Sequence, residues 1–536
     1  MPPTPERRSK YYVTTAIDYI NGVPHLGHAY EKIAADALVR YRAMGGDDTW
    51  LVVGSDEHSQ SVVREAAARG MDPIAYCDSM IPTWKGIFER LQVGYSEFVR
   101  TSSDANRATT EEFLQRVYDN GYIYKGKYSG FYCPNCEQYY QERELDDGKC
   151  PEHHIKLEWL EEENYFLKLS AFADRLIELH QREDFLQPES RRNEMLNVIR
   201  DGLQDVSISR GFTDWGFPLP FDRSQVIYVW FDALLAYVTG AGFGTDRARF
   251  ERYWPCDVHI IGKGITRFHT IMWPVMLWAA GVELPRRVYS HGYISIGGEK
   301  MSKSQGIFFE PLALAERLQA PGEAVRPLAG SDGARYTLLR EIPFDRDGDF
   351  TLEAFVDRYN ADLANDFGNL ASRALKMLAQ YTDGVVPAAT GGEGIHAELP
   401  ALAAALALSL QARMDALDFS GALEDIWRLV ARANKYVEES RPWELRKREG
   451  AEGELHTVLY NLIETLRLLT YAVSPFIPDA ADKLAVQLRV TLPGEVGRGG
   501  PSLAEALGWG GLRGGHATEV GAVLFPRLDK GAVLDR

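Results

Sequence analysis

The chain has 536 residues, 45% hydrophobic and 25% charged, the balance of an ordinary folded protein with room for two to four domains. No apolar run reads as long enough to cross a membrane, and Met1-Pro2-Pro3-Thr4-Pro5-Glu6-Arg7-Arg8 has no apolar stretch after its charges, so a cytoplasmic rather than a secreted protein is expected. A net charge of −17 argues against indiscriminate nucleic-acid binding but leaves room for a locally basic face.

In chain order, Lys10-Tyr11-Tyr12-Val13-Thr14-Thr15 is rich in β-branched and aromatic residues and reads as a buried strand. Asn21-Gly22-Val23-Pro24 is turn chemistry, and a helix follows to Gly45-Gly46 with apolar Ile33, Ala34, Ala37, Leu38 and Tyr41 at three- and four-residue spacing. Thr49-Trp50-Leu51-Val52-Val53-Gly54 then completes a βαβ unit. His25 and His28 fall on one face of the first helical turn, with Gly27 leaving no side chain between them. That turn offers free N–H groups and the positive end of the helix dipole, so an anion suits it; a metal pair or two surface histidines are the alternatives.

From about Ser103 to Asp222 the pattern turns aromatic and acidic, and Cys133, Cys136, Cys150 and His153 form C-x2-C, thirteen residues, C-x2-H. This is the spacing of a structural zinc knuckle with one Zn²⁺ and no open coordination position, His154 being a possible substitute for His153. Five cysteines in a reducing compartment disfavour a disulfide, and Cys77 and Cys256 read as small buried residues. Apolar strands resume at Val226-Ile227-Tyr228-Val229-Trp230 and Val258-His259-Ile260-Ile261-Gly262, which predicts an α/β fold with a doubly wound parallel sheet split by an insertion. Past Gly297-Gly298, the stretch Lys300-Met301-Ser302-Lys303-Ser304 is a polar, glycine-hinged loop able to swing two ammonium groups onto a polyphosphate. Leu352 to about Leu488 predicts an all-α bundle of four or five helices, with lysines and arginines dense from Arg428 to Arg448.

The histidine turn and the lysine loop together resemble the paired signatures of class I aminoacyl-tRNA synthetases. Thr15-Ala16-Ile17-Asp18-Tyr19-Ile20-Asn21-Gly22, Gly54-Ser55-Asp56-Glu57-His58, Tyr228-Val229-Trp230-Phe231-Asp232-Ala233, Ile261-Gly262-Lys263 and the single knuckle are similar to the methionyl-tRNA synthetase family over nearly the whole chain. The resemblance implies a Rossmann-like catalytic domain in two halves (1–118 and 226–290), a zinc-bearing connective insertion (119–225) and a stem-contact region with the lysine loop (291–358). It implies further a helical anticodon-binding bundle (359–488) and a C-terminal tail (489–536).

It implies that His25, His28, Lys300 and Lys303 stabilise the reacting phosphates, with Gly27, Glu31, Gly262, Met301 and Ser302 also at ATP. Ile17, Tyr19, Trp230, Ala233, Leu234, Tyr237, Ile265 and His269 would wall the methionine, and Asp56 would hold its ammonium group. Asn369 and Arg373, four apart on one helical face, and Trp443 would read the CAU anticodon. Two positions depart from the family: Gly264 stands where an aspartate is usual, and Asp18 where apolar or aromatic residues are common.

The activity implied is ligation of L-methionine to tRNA(Met) with ATP and Mg²⁺, by a monomer. One methylene is worth only about 1–3 kcal/mol in a hydrophobic pocket, so proofreading is expected, and in the synthetic pocket itself. A cysteine-specific class I synthetase and a non-catalytic tRNA-binding paralogue are the alternatives.

Overall fold

The computed structural model describes residues 9–133, 138–140, 142–151, 154–211, 213–300, 308–318, 331–388, 392–493 and 503–535. Its centre is a six-stranded, wholly parallel sheet. The strands are β1 (Lys10–Tyr19), β2 (Asp48–Asp56), β3 (Glu97–Arg100) and, after an insertion that holds β4 (Ile123–Cys133), β5 (Gln138–Tyr140) and β6 (Glu158–Leu167), the short β7 (Leu186–Gln187). Three short strands, β8 (Val206–Ser207), β9 (Ser209–Arg210) and β10 (Val226–Ile227), precede the last two members of the sheet, β11 (Val258–Gly262) and β12 (Val288–His291). The order across the sheet is β3-β2-β1-β11-β12-β7, so the direction of winding reverses between β1 and β11. In such a sheet the crevice beyond the carboxyl ends of the strands at the reversal is where ligands bind.

Helix α1 (Leu26–Met44) crosses from β1 to β2 and ends at the cap Gly45, as its apolar period predicted. It is buried nearly all round, and Lys32 and Asp36 inside it are buried with ionic partners. β1 carries one extra residue against β2 between Thr14 and Ile17, a bulge that re-aims the end of the strand.

One expectation needs correction. Val226–Trp230 is not a strand of the resumed sheet: only Val226–Ile227 is extended, it pairs antiparallel with Ser209–Arg210, and Val229 already opens the helix Val229–Ala241. A short apolar run has no period of its own, and here complete burial on every side suits a helix as well as a strand.

β5, β4, β6 and β8 form an antiparallel sheet in that order, the body of the insertion. A third sheet, of β13 (Ile294–Ile296), β14 (Glu299–Lys300) and β15 (Gly348–Phe350), sits just past β12. The remainder is helical: Leu352–Thr382 is continuous, followed by Ile395–Asp415, Phe419–Ser440, Glu452–Val473 and Pro478–Leu488. Ile395–Asp415 has the length and mean hydropathy of a membrane span, contrary to the sequence reading that no run reaches it. Its buried Leu399, Ala403, Leu406, Leu410 and Met414 form one stripe at three- and four-residue spacing, the pattern of an alanine-rich helix packed on its neighbours.

Arg335, fully buried, bolts this helical region to α1. It donates to Asp36 Oδ2 at 2.6 Å and to the carbonyls of Pro475 at 2.9 Å, Phe476 at 2.9 Å and Leu91 at 3.1 Å. A buried guanidinium needs partners for its donors, and this one draws them from three segments.

Candidate functional site

The crevice at the winding reversal is a cavity of about 220 Å³ whose lining includes Ala16, Asp18, His25, Gly27, His28, Glu31, Gly262, Gly264, His291, Tyr293 and Ile294. Because of the bulge in β1, Ala16 and Asp18 line this cavity, while Ile17 and Tyr19 belong to the hydrophobic cluster beyond it.

His25 is the N-cap of α1 and His28 its third residue, so the first sits just outside the helix. Each Nδ1 accepts from the other's backbone N–H, at 3.1 Å and 3.4 Å, and the rings stack 3.7 Å apart. A reciprocal cap of this kind uses two of the helix's orphan donors and fixes both imidazoles at its positive end.

Behind the histidines lies a buried charge network. Lys32 Nζ is 2.5 Å from Asp18 Oδ2 and 2.9 Å from Glu31 Oε1, and it also donates to Ala16 O at 3.2 Å. Glu31 Oε1 accepts from Ala16 N at 2.8 Å, and Glu31 Oε2 lies 2.9 Å from His291 Nε2. Burial alone would raise the Glu31 carboxyl, but the Lys32 ammonium and the His291 contact outweigh it and hold it below the usual carboxylate range. Burial would likewise discharge Lys32, yet Asp18 and Glu31 keep its ammonium charged. Asp18, unusual in the sequence, is therefore the counter-ion of Lys32 and approaches His28 Nε2 at 3.9 Å.

Next to the cavity stands an apolar group. Trp230 stacks on Phe268 at 3.9 Å, and Tyr19 meets Trp230 edge-on at 6.2 Å. Ala233, Leu234 and Tyr237 are buried on the same helix as Trp230, and Ile265 packs against the same cluster. His269 Nδ1 donates to Ile265 O at 2.9 Å, which leaves Nε2 to accept the Tyr237 hydroxyl at 2.7 Å. Burial pushes the His269 imidazole down to about 4, so it stays neutral.

Asp56 ends β2 and is buried. The loop after it is fastened from both sides. Glu57 takes Arg100 at 2.8 Å and 3.0 Å and Ser55 at 2.6 Å, and His58 pairs with Asp232 from the helix that bears Trp230. Burial holds the Asp232 carboxyl above its ordinary value even against that imidazole.

The lysine loop is described only at its root. Lys300 belongs to β14, which pairs with β13 after a turn in which Gly297 and Gly298 take φ of 62° and 81°, and β13 begins at the cavity residue Ile294. Met301, Ser302 and Lys303 lie outside the described residues, so the closure of the two ammonium groups over the imidazoles does too. Cys136 and His153 are also outside them. Cys133 and Cys150 are fully buried in a small cluster of their own with Tyr140 and Leu157, and Tyr140 Oη lies 3.9 Å from Cys150 Sγ. Among the described residues no group of three metal-type side chains is assembled.

In the helical region Asn369 is exposed on the helix that carries Arg373, whose guanidinium reaches Glu438 at 2.8 Å. That bridge sets the helix against the end of Phe419–Ser440, five residues before the half-buried Trp443. Arg441, at a φ of 43°, and Pro442 turn the chain there.

Sequence reasoning missed Lys32, His291 and Tyr293. His291-Gly292-Tyr293 closes a strand just upstream of the glycine-hinged turn, which was the available signal; Lys32 had none, since a lysine beside a glutamate on a helix reads as a solvated face.

A family profile described as class I tRNA synthetases (M) matches residues 11–158 and 155–375, and one described as the anticodon binding domain of methionyl tRNA ligase matches 386–534. A methionine--tRNA ligase of Caldanaerobacter subterraneus subsp. tengcongensis is 43% identical over 524 residues, 97% of this chain and 79% of the relative. One of Streptomyces coelicolor is 41% identical, with 97% of each chain covered. Mycobacterium tuberculosis methionyl-tRNA synthetase in complex with methionyl-adenylate superposes with a TM-score of 0.90 at 40% identity, covering 97% of this chain and 100% of that one.

Proposed function

The chain belongs to the class I methionyl-tRNA synthetases, and from that premise we propose which of its residues do the work. As a methionine--tRNA ligase it activates L-methionine with ATP to methionyl-adenylate and pyrophosphate, then transfers methionine to the terminal adenosine of tRNA(Met). The carboxylate of methionine attacks the α-phosphorus in line, and being charged already it needs no protein base. What remains for the protein is alignment and stabilisation of phosphate charge.

His25 and His28 take the phosphates at the N-terminus of α1, joined by Lys300, Met301, Ser302 and Lys303 from the loop; Gly27 and Gly262 let the nucleotide approach the backbone. The observation that carries this reading is the stacked, mutually capped imidazole pair opening into the cavity at the winding reversal. Glu31 acts by holding the floor of the cleft, since its oxygens already meet Ala16, Lys32 and His291. Ile17, Tyr19, Trp230, Ala233, Leu234, Tyr237, Ile265 and His269 wall the thioether, a reading supported by a group with no net charge, and Asp56 receives the ammonium.

Asn369, Arg373 and Trp443 meet the anticodon, supported by the Arg373–Glu438 bridge that draws their two elements together. One structural Zn²⁺ would be held by Cys133, Cys136, Cys150 and His153. The buried thiols of Cys133 and Cys150, isolated from the main core, suit it, and bound there it would crosslink the tip of the insertion. Mg²⁺ arrives with ATP as substrate, and the reading extends to a cytoplasmic monomer.

ATP–pyrophosphate exchange measured across the amino acids tests the assignment. Exchange with methionine is expected; exchange driven by cysteine, or none, sinks it.

A further inference from the structure

Gly264 is the cavity residue that most departs from expectation, and its neighbourhood is unusual in physical terms. A Cβ built on Gly264 would stand 1.9 Å from the hydroxyl of Tyr293 and 3.2 Å from its Cζ. The space that any side chain at 264 would need is therefore filled by the phenol of Tyr293, 29 positions on. The ring is held there: Tyr293 N donates to Asp347 Oδ1 at 2.8 Å, and Lys263 Nζ lies 4.8 Å over its face while bonded to Asp347 Oδ2 at 2.6 Å.

The same contacts decide what this wall can recognise. The Lys263 ammonium is paired with the Asp347 carboxylate, and the backbone of Gly262 and Gly264 carries no charge, so this part of the lining presents the Tyr293 hydroxyl beside uncharged backbone. The Glu31 carboxylate, on the floor, is already engaged by Ala16 N, Lys32 and His291. Such a wall suits a neutral hydroxyl of the ligand rather than its phosphates, and a nucleotide with its phosphates at the start of α1 has neutral hydroxyls on its sugar.

We propose that the Tyr293 hydroxyl, admitted by the bare Gly264, is a specificity-determining contact to a ribose hydroxyl of ATP. This rests on the reading that the cavity at α1 holds ATP. Gly264 and Tyr293 then work as one unit, since a Cβ at 264 and the hydroxyl at 293 exclude each other.

The test is steady-state ATP–pyrophosphate exchange with ATP, 2′-deoxy-ATP and 3′-deoxy-ATP, on the parent, Tyr293→Phe, Gly264→Ala and the double variant. Loss of one neutral hydrogen bond raises the ATP KM about three- to tenfold in Tyr293→Phe, with the methionine KM unchanged. The penalty disappears with one of the two deoxy nucleotides, which the parent itself handles about three- to tenfold less well than ATP. Gly264→Ala imitates Tyr293→Phe, and in the double variant it adds little. The proposal is overturned if the parent does not discriminate against either deoxy nucleotide, if Tyr293→Phe loses equally on all three nucleotides, or if the two substitutions add in full. His28→Ala in the same assay separates the layers: exchange lost there with Tyr293→Phe unaffected overturns this contact alone, whereas parent-like exchange in His28→Ala overturns the placement of ATP.

Discussion

The cleft at the start of α1 and the apolar group beside it manage charge in opposite ways. On the cleft side, Glu31 and Lys32 are buried together beside Asp18 and both stay ionised, because the Lys32 ammonium faces the carboxyl groups of Glu31 and Asp18. On the pocket side, His269 is buried with a hydroxyl and a carbonyl as partners and no carboxylate among them, and it gives up its charge. Burial is comparable in the two places. The partners within 3 Å decide the protonation state, and with it whether a region suits a triphosphate or a thioether.

The contrast can be broken most severely at Lys32. Lys32→Met leaves two buried carboxylates without their cation and should lower the unfolding free energy by about 3–5 kcal/mol in urea denaturation; a loss under about 1 kcal/mol would mean that the network is not coupled as drawn. On the same side, His28→Ala should slow methionine-dependent exchange about 10²-fold or more, about 3 kcal/mol in the transition state, while the variant melts close to the parent.

The pocket side responds to pH instead. With His269 at about 4 when folded and near 6.5 when unfolded, the folded state holds fewer protons in that interval. Its contribution is complete above pH 6.5 and is lost progressively as pH falls towards 4, by about 2 kcal/mol at pH 5. Urea denaturation at pH 7 and pH 5 should show a shallower pH dependence for His269→Gln than for the parent; identical slopes would place a charged imidazole in the pocket. The smallest effect is expected from Tyr237→Phe, which removes the donor to His269 and should raise the methionine KM about fivefold, about 1 kcal/mol, leaving the ATP KM alone.

Much of the fold was legible because it is written in local patterns. The period of α1, the β-branched residues of β1 and β2 and the turn at Asn21-Gly22-Val23-Pro24 identify the βαβ unit, and the cysteine spacing marks the insertion. Where a segment is apolar throughout, as from Val226 to Ala241, the pattern carries no period and the strand reading failed after two residues. The candidate site was legible as motifs and not as a network. His25 and His28 announce themselves at a helix start, whereas nothing near position 32 says that its lysine is buried.

What the amino-acid order determined unaided is the family, the run of local elements and the residue types able to meet phosphate, thioether and metal, since each depends on neighbours a few positions apart. Only the tertiary structure decided that His291 meets Glu31 across 260 positions, that Asp18 answers Lys32, and that a phenol stands where a side chain at 264 would be. The physical reason is that protonation and steric exclusion depend on atoms within a few ångströms, and the folding of the sheet brings those atoms from strands distant in the chain.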